Sequence, residues 1–257
     1  MIDEWNPDEE FNVMIFQKHV KEIMEDIYNR GKIPILVGGT GFYIQAVLND
    51  IAFTKEKQGD EIRADLQNLA KEKGASYLHH ELQKVDKESA EAIHPNNIKR
   101  VIRALEYFQS TGQKFSDHNK EERQKGSPYN FLYLVLTMNR KVLYERIDKR
   151  VDQMMEEGLV KEVKQLLDAG YSRNLVSMQG LGYKEIASAL FKECTMEEAV
   201  YRLKRDTRHF AKRQMTWFRR ERDVTMINKD NFSNNHEIVN YIMKLAVEKG
   251  ICSCREG

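Results

Sequence analysis

Long apolar runs are missing from this chain. No stretch of its 257 residues approaches the ~18 apolar positions a membrane-crossing helix needs, so no membrane partner is expected. The amino end, Met1-Ile2-Asp3-Glu4, has no basic region and no apolar core, so this stretch is not expected to be a signal peptide. Cysteine is scarce: Cys194, Cys252 and Cys254 give no disulfide framework. Cys252 and Cys254 form a C-x-C pair, but zinc needs about four ligands and no second pair lies nearby, so no metal site is expected. An excess of one charge is also lacking. Lys and Arg number 41 against 40 Asp and Glu, for a net charge of +1, so the protein as a whole is not a polycation. The composition is that of an ordinary soluble chain, the cytoplasm is its default compartment, and its length suits one large domain or two unequal ones.

What is present starts with the stretch from Ile33 to Ile44. Ile35, Leu36 and Val37 form an apolar run without polar alternation, the pattern of a strand buried on both faces. Gly38, Gly39 and Gly41 follow, with Thr40 between them, and Phe42 to Leu48 reads as a helix. Strand, glycine-rich turn and helix would place backbone N–H groups and a hydroxyl at a sheet edge where ligands of open α/β folds bind. The alternative is a tight βα turn that binds nothing.

Around this unit the periodicity predicts mostly helices. Phe11–Arg30 carries one broad apolar face and stops at Gly31. Thr54–Asp60 is charged and loop-like, Glu61–Gln83 is helical with Gly74 dividing it, and Asp86–Ala92 continues the tendency. His94-Pro95-Asn96-Asn97 breaks it, and Asn96 or Asn97 can cap a helix over Lys99–Phe108. Ser116–Ser127 is polar and is expected to be mobile. Phe131–Leu136 reads as a second apolar strand, followed by helices over Asn139–Gln153 and Val160–Leu167. Thr195 with Glu198 is a capping-box signature for a long helix running towards Trp217. Val224–Ile227 is a candidate last strand and Glu237–Val247 a closing helix. The expected organisation is an α/β core over 1–58 and 128–257 with an all-helical insertion over 59–127.

Positive charge is concentrated in the last third. Between Lys204 and Arg222 stand eight Lys or Arg residues, with Asp206 and Glu221 opposing them. Lys204, Arg208 and Lys212 share one helix face, and Arg205, His209 and Arg213 form the adjacent row. Stacked like charges destabilise a helix by a few tenths of a kcal/mol per pair, which suggests an anion opposite, with phosphate the obvious candidate. Trp217 and Phe218 could stack on unpaired bases. The competing reading is a solvated basic face with Trp217 in the core. Arg146 and Arg150, one turn apart, could clamp a diphosphate or pair with Glu145 and Asp148.

Five motifs in this order carry a resemblance: Leu36-Val-Gly-Gly-Thr-Gly-Phe-Tyr43, the run Ile93 to Glu106, Arg146 to Met154, Leu181-Gly-Tyr-Lys184, and Lys212-Arg-Gln-Met-Thr-Trp-Phe-Arg219. Together the chain resembles the bacterial tRNA dimethylallyltransferase (tRNA isopentenyltransferase) family. The resemblance implies a P-loop-NTPase-like parallel-sheet core with a helical insertion. It implies transfer of a dimethylallyl group from dimethylallyl diphosphate to N6 of the adenosine 3′ of the anticodon. The partners implied are the tRNA anticodon stem-loop and dimethylallyl diphosphate, with Mg2+ as cofactor and the protein a monomer.

The implied tRNA contacts are Thr40, Arg63, Lys99, Arg100, Val101, Ile102, Arg103, Gly182, Tyr183, Lys184, Arg208, Lys212, Arg213, Gln214, Trp217 and Arg219. Arg150, with Arg146, would hold the diphosphate. The family's Gly-rich P-loop ending in Gly-Lys-Thr or Gly-Lys-Ser, and its Asp-Ser-x-Gln-x-Tyr motif with the general base, occur nowhere in the 257 residues. The expectation is an amino-terminally truncated chain without the base, the diphosphate cradle or metal ligands, inactive alone. Competing readings are a non-catalytic tRNA-binding fragment and a small-molecule P-loop kinase.

Overall fold

The computed structural model describes residues 1–53 and 59–253. The loop expected at Thr54–Asp60 therefore lies largely outside the described residues, as does Cys254. The chain divides into two compact units, one formed by Met1–Ile44 with Tyr129–Gly257 and one by Gln45–Pro128.

In the first unit, α1 (Val13–Asn29) begins at Asn12, whose side chain accepts from the Met14 and Ile15 amides at 2.9 and 3.1 Å. Gly31, at φ +67°, turns the chain out of it. The strand expected over Ile33–Val37 does not form. The segment is extended but unpaired, with Ile35 82% and Val37 87% exposed. Strand structure exists only through pairing, and none of the described residues supplies a partner. α2 (Gly41–Leu48) then starts directly after Thr40.

The second unit is helical throughout its described elements: α3 (Gly59–Lys73), α4 (Ala75–Val85), α5 (Lys87–Ala92), α6 (Ile98–Thr111) and α7 (Phe115–Gln124). Leu66, Leu78, Leu82, Val101, Ile102 and Leu105 form its core. Each such side chain contributes about 1.5–3 kcal/mol of burial. α6 closes at Gly112, a left-handed residue at φ +70°. Asn97 occupies the position before α6 without a side-chain cap. The polar segment after Ser116 is α7, an ordered helix, which corrects the expectation of a mobile linker. Phe115 and His118 pack on the Tyr107 ring, and Glu122 accepts from the Ala52 amide at 3.3 Å. Those long-range anchors are invisible to local polarity.

The first unit resumes with β1 (Tyr133–Thr137), α8 (Arg140–Glu156), α9 (Leu159–Asp168), α10 (Tyr183–Leu190), α11 (Met196–Phe218), β2 (Val224–Asn228) and α12 (Asn235–Glu248). β1 and β2 pair in parallel, with Tyr133 opposite Val224 and Thr137 opposite Asn228. A parallel pair requires a crossover, and four helices supply it here. Val151, Val163, Met178, Ile186 and Leu203 form a core between them. Thr195 caps α11 by accepting from the Glu198 amide at 3.1 Å. No helix among the described residues is long and apolar enough to cross a membrane.

Candidate nucleic-acid interface

The glycine-rich turn is built against α11. A Cβ on Gly39 would fall 2.2 Å from Gln214 Nε2, and one on Gly41 2.2 Å from the Trp217 ring. Gln214 Nε2 donates to the Gly39 carbonyl at 2.9 Å. Phe42 meets Trp217 edge-on, with ring centroids 6.4 Å apart. None of Gly38, Gly39 and Gly41 has a positive φ. Two of the three glycines therefore admit a neighbouring helix, and no sheet edge forms at this turn among the described residues. Thr40 is exposed between them. Lys212 and Arg213 stand exposed at the same end of α11.

The anion expected opposite the stacked cations is, for two of them, a carboxylate of this chain. Lys204 pairs with Asp152 and Arg208 with Asp148, each at 2.5 Å, so the pair seams α11 to α8. Arg208, expected as a tRNA contact, thus also serves helix packing through Asp148. The i, i+4 spacing of Asp148 and Asp152 matches that of Lys204 and Arg208, a complementarity the sequence does display. Arg146 and Arg150 are exposed and form no ion pair among the described residues. Each stands two residues, about 200° round the helix, from Asp148 or Asp152. They therefore lie away from the seam, on one face, one turn apart.

The Leu181–Lys184 motif is held from beneath. Gly182, at φ +100°, donates its amide to Glu185 Oε2 at 2.9 Å and starts α10. Tyr183 donates its hydroxyl to Glu162 of α9. Burial first, and then that carboxylate, push the Tyr183 hydroxyl up to about 12. Lys184 Nζ lies 3.5 Å from Glu185 Oε1. A cavity of about 440 Å³ opens beside this motif and is lined by Arg173, Lys184, Arg202 and Arg205. Each of these cations has its own carboxylate, Glu193, Glu185, Glu198 and Asp206 respectively.

In the second unit, Arg63 grips Glu106 with two nitrogens, at 2.7, 3.1 and 3.3 Å, and Arg103 reaches the same carboxylate at 3.4 Å. Glu106 is 1% exposed, whereas both guanidinium groups reach solvent. Two cations on one buried anion leave a net positive charge with fixed geometry. Lys99 and Arg100 stand exposed in the first turn of α6. Val101 and Ile102, also expected as tRNA contacts, have buried side chains in the core, so those side chains face no partner. Glu106 was legible only as the end of the motif, not as its anchor.

Among the described residues no three His, Cys, Asp or Glu side chains gather to hold a metal ion.

Fold and surface define an α/β protein with a parallel pair crossed by helices, an all-helical second unit, and fixed cations on both. The matching family model is IPP transferase, over residues 1–221. The tRNA dimethylallyltransferase of Lachnoclostridium phytofermentans is 55% identical over 251 residues, 98% of this chain and 80% of that protein. That of Acetivibrio thermocellus is 48% identical, covering 93% of this chain and 76% of the relative. Among solved structures, the full-length tRNA isopentenylpyrophosphate transferase of Bacillus halodurans is similar at a TM-score of 0.67 and 42% identity, with 97% of this chain and 78% of that one covered. A eukaryotic dimethylallyltransferase solved acting on tRNA is similar at 0.75 and 27% identity, with 94% and 64% covered. The chain belongs to the IPP transferase family, the tRNA dimethylallyltransferases.

Proposed function

We propose that this chain serves the transfer of a dimethylallyl group from dimethylallyl diphosphate to N6 of the adenosine 3′ of a tRNA anticodon. The 55% identity to a tRNA dimethylallyltransferase over 98% of the chain carries this reading. The residues described supply the RNA-gripping part. Thr40 presents its hydroxyl near the reacting base, and the helical segment 59–127 acts as a tRNA-binding domain through Arg63, Lys99, Arg100 and Arg103. Lys184, Lys212, Arg213 and Arg219 line the anticodon stem, and Arg146 and Arg150 hold the diphosphate. Magnesium, a monomeric state and the cytoplasm belong to the same reading.

The reaction needs a group that takes the amine proton and a cradle for the leaving diphosphate. No P-loop ending in Gly-Lys-Thr or Gly-Lys-Ser and no Asp-Ser-x-Gln-x-Tyr motif stands in the 257 residues. The expected result for this polypeptide alone is RNA binding without prenyl transfer. Incubation with unmodified tRNA and labelled dimethylallyl diphosphate checks it. Turnover would refute the claim of inactivity, and absence of tRNA binding would refute the RNA-gripping role.

A further inference from the structure

The turn Gly39–Gly41 has no strand behind it and becomes regular only at Gly41, where α2 begins. What fixes it comes from α11. Gln214 Nε2 donates to the Gly39 carbonyl at 2.9 Å, and only the amide nitrogen of a Gln side chain can donate to a carbonyl, so the side chain's orientation follows from the acceptor. One turn further along, the Trp217 ring lies so close to Gly41 that a Cβ there would stand 2.2 Å from Cδ1 and Nε1. The indole N–H is buried and forms no hydrogen bond among the described residues, so shape alone seats this ring. Gly38, by contrast, has nothing within 4 Å of an added Cβ. Tyr43 and Ile44 then donate their amides to the Thr40 carbonyl at 3.0 and 3.2 Å, which ties Thr40 to the start of α2.

We propose that Gln214 and Trp217 are positioning residues for Thr40. They do not grip RNA themselves; they clamp the Gly39–Gly41 turn onto α11. The helix end that presents Lys212 and Arg213 and the turn that presents Thr40 then move as one body. A phosphate held by the helix and a base met by Thr40 would keep a fixed separation, which is what a site holding one nucleotide in register requires. The spacing in sequence follows from this. Gln214 and Trp217 are three apart and lie on one helix face, and they meet two glycines that are two apart, one at a bend and one at the first residue of α2. The proposal rests on the reading that Thr40 touches RNA.

The test uses the 257-residue chain in two arms. Without RNA, hydrogen exchange of residues 38–44 is compared between the parent and Gln214→Ala, Gln214→Glu, Gly41→Ala and Gly38→Ala. Gln214→Glu keeps the size and loses the donor. Exchange of this segment should quicken about tenfold in the first three and stay unchanged in Gly38→Ala. Unchanged exchange in Gln214→Ala and Gln214→Glu overturns the clamp, and neither substitution enters the core, so both variants should fold. With an anticodon stem-loop RNA, Thr40→Ala and Gln214→Ala should each weaken binding about three- to tenfold, and the double variant no further than the weaker of the two. Losses that multiply overturn the proposal, because Gln214 then touches RNA in its own right. An affinity unmoved by Thr40→Ala refutes the RNA role of the turn, while the exchange arm still decides whether the clamp exists.

Discussion

Asp86, 1% exposed, joins three segments of the helical unit through one carboxylate. It accepts from the Ser89 amide at 3.0 Å and the Ser89 hydroxyl at 2.6 Å, capping α5, and from the Ser116 amide at 2.9 Å, fixing the start of α7. Burial works against its charge, but the bonds from Ser89 and Ser116 prevail and hold its pKa below the ordinary aspartate value. A carboxylate with a depressed native pKa adds stability above the unfolded pKa, near 4, and loses it as pH falls through the lower native value. Asp86→Ala should therefore cost about 2 kcal/mol at neutral pH. The deficit should shrink once acid protonates Asp86 in the parent. Thermal melts of both proteins from neutral to acid pH measure this, and a deficit constant with pH would show that the carboxylate's charge is irrelevant. From the sequence, Asp86 reads only as part of a helical stretch, because its partner Ser116 lies thirty residues away.

At the scale of elements, amphipathic helices were the legible part, and pairing was not. Apolar spacing and local caps gave α1, α6, α8 and α11 to within a few residues, because both signals lie inside the element. The segment Ile33–Val37 shows the limit. Its composition is that of a buried strand, yet what buries a strand is its neighbours, and no periodicity encodes their presence. The Lys204–Asp152 and Arg208–Asp148 seam is another tertiary fact: the basic row was read correctly and its counter-ions were not. An exposed extended apolar run with unpaired backbone groups is a template for association between copies. Ile35→Lys, placed where the side chain is already in solvent, should leave the fold intact and lower self-association at a given concentration. Sedimentation or light scattering over a concentration series reads the effect; equal association in the two proteins would show that this run is not the adhesive surface.

Taken as a whole molecule, a net charge of +1 hides an uneven distribution. Internal carboxylates neutralise Lys204, Arg205, Arg208 and Arg173, and Glu106 alone is shared by Arg63 and Arg103. Lys99, Arg100, Arg146, Arg150, Lys212 and Arg219 are exposed and form no ion pair among the described residues. Only cations of this second kind release counter-ions when they meet phosphate, since a side chain already paired exchanges one anion for another. If roughly half of them engage tRNA at once, the logarithm of affinity should fall against the logarithm of salt with a slope of magnitude about 2–3, or about twenty- to fortyfold between 50 and 200 mM. Two substitutions separate the classes. Lys212→Ala should lower the slope by about 0.7–0.9 and leave the melting temperature unchanged. Arg208→Ala should lower the melting temperature, because Asp148 is left without its partner, and leave the slope alone. A flat salt dependence in the parent, or a slope that drops with Arg208→Ala and not with Lys212→Ala, would mean that the paired and the exposed cations have been assigned the wrong way round.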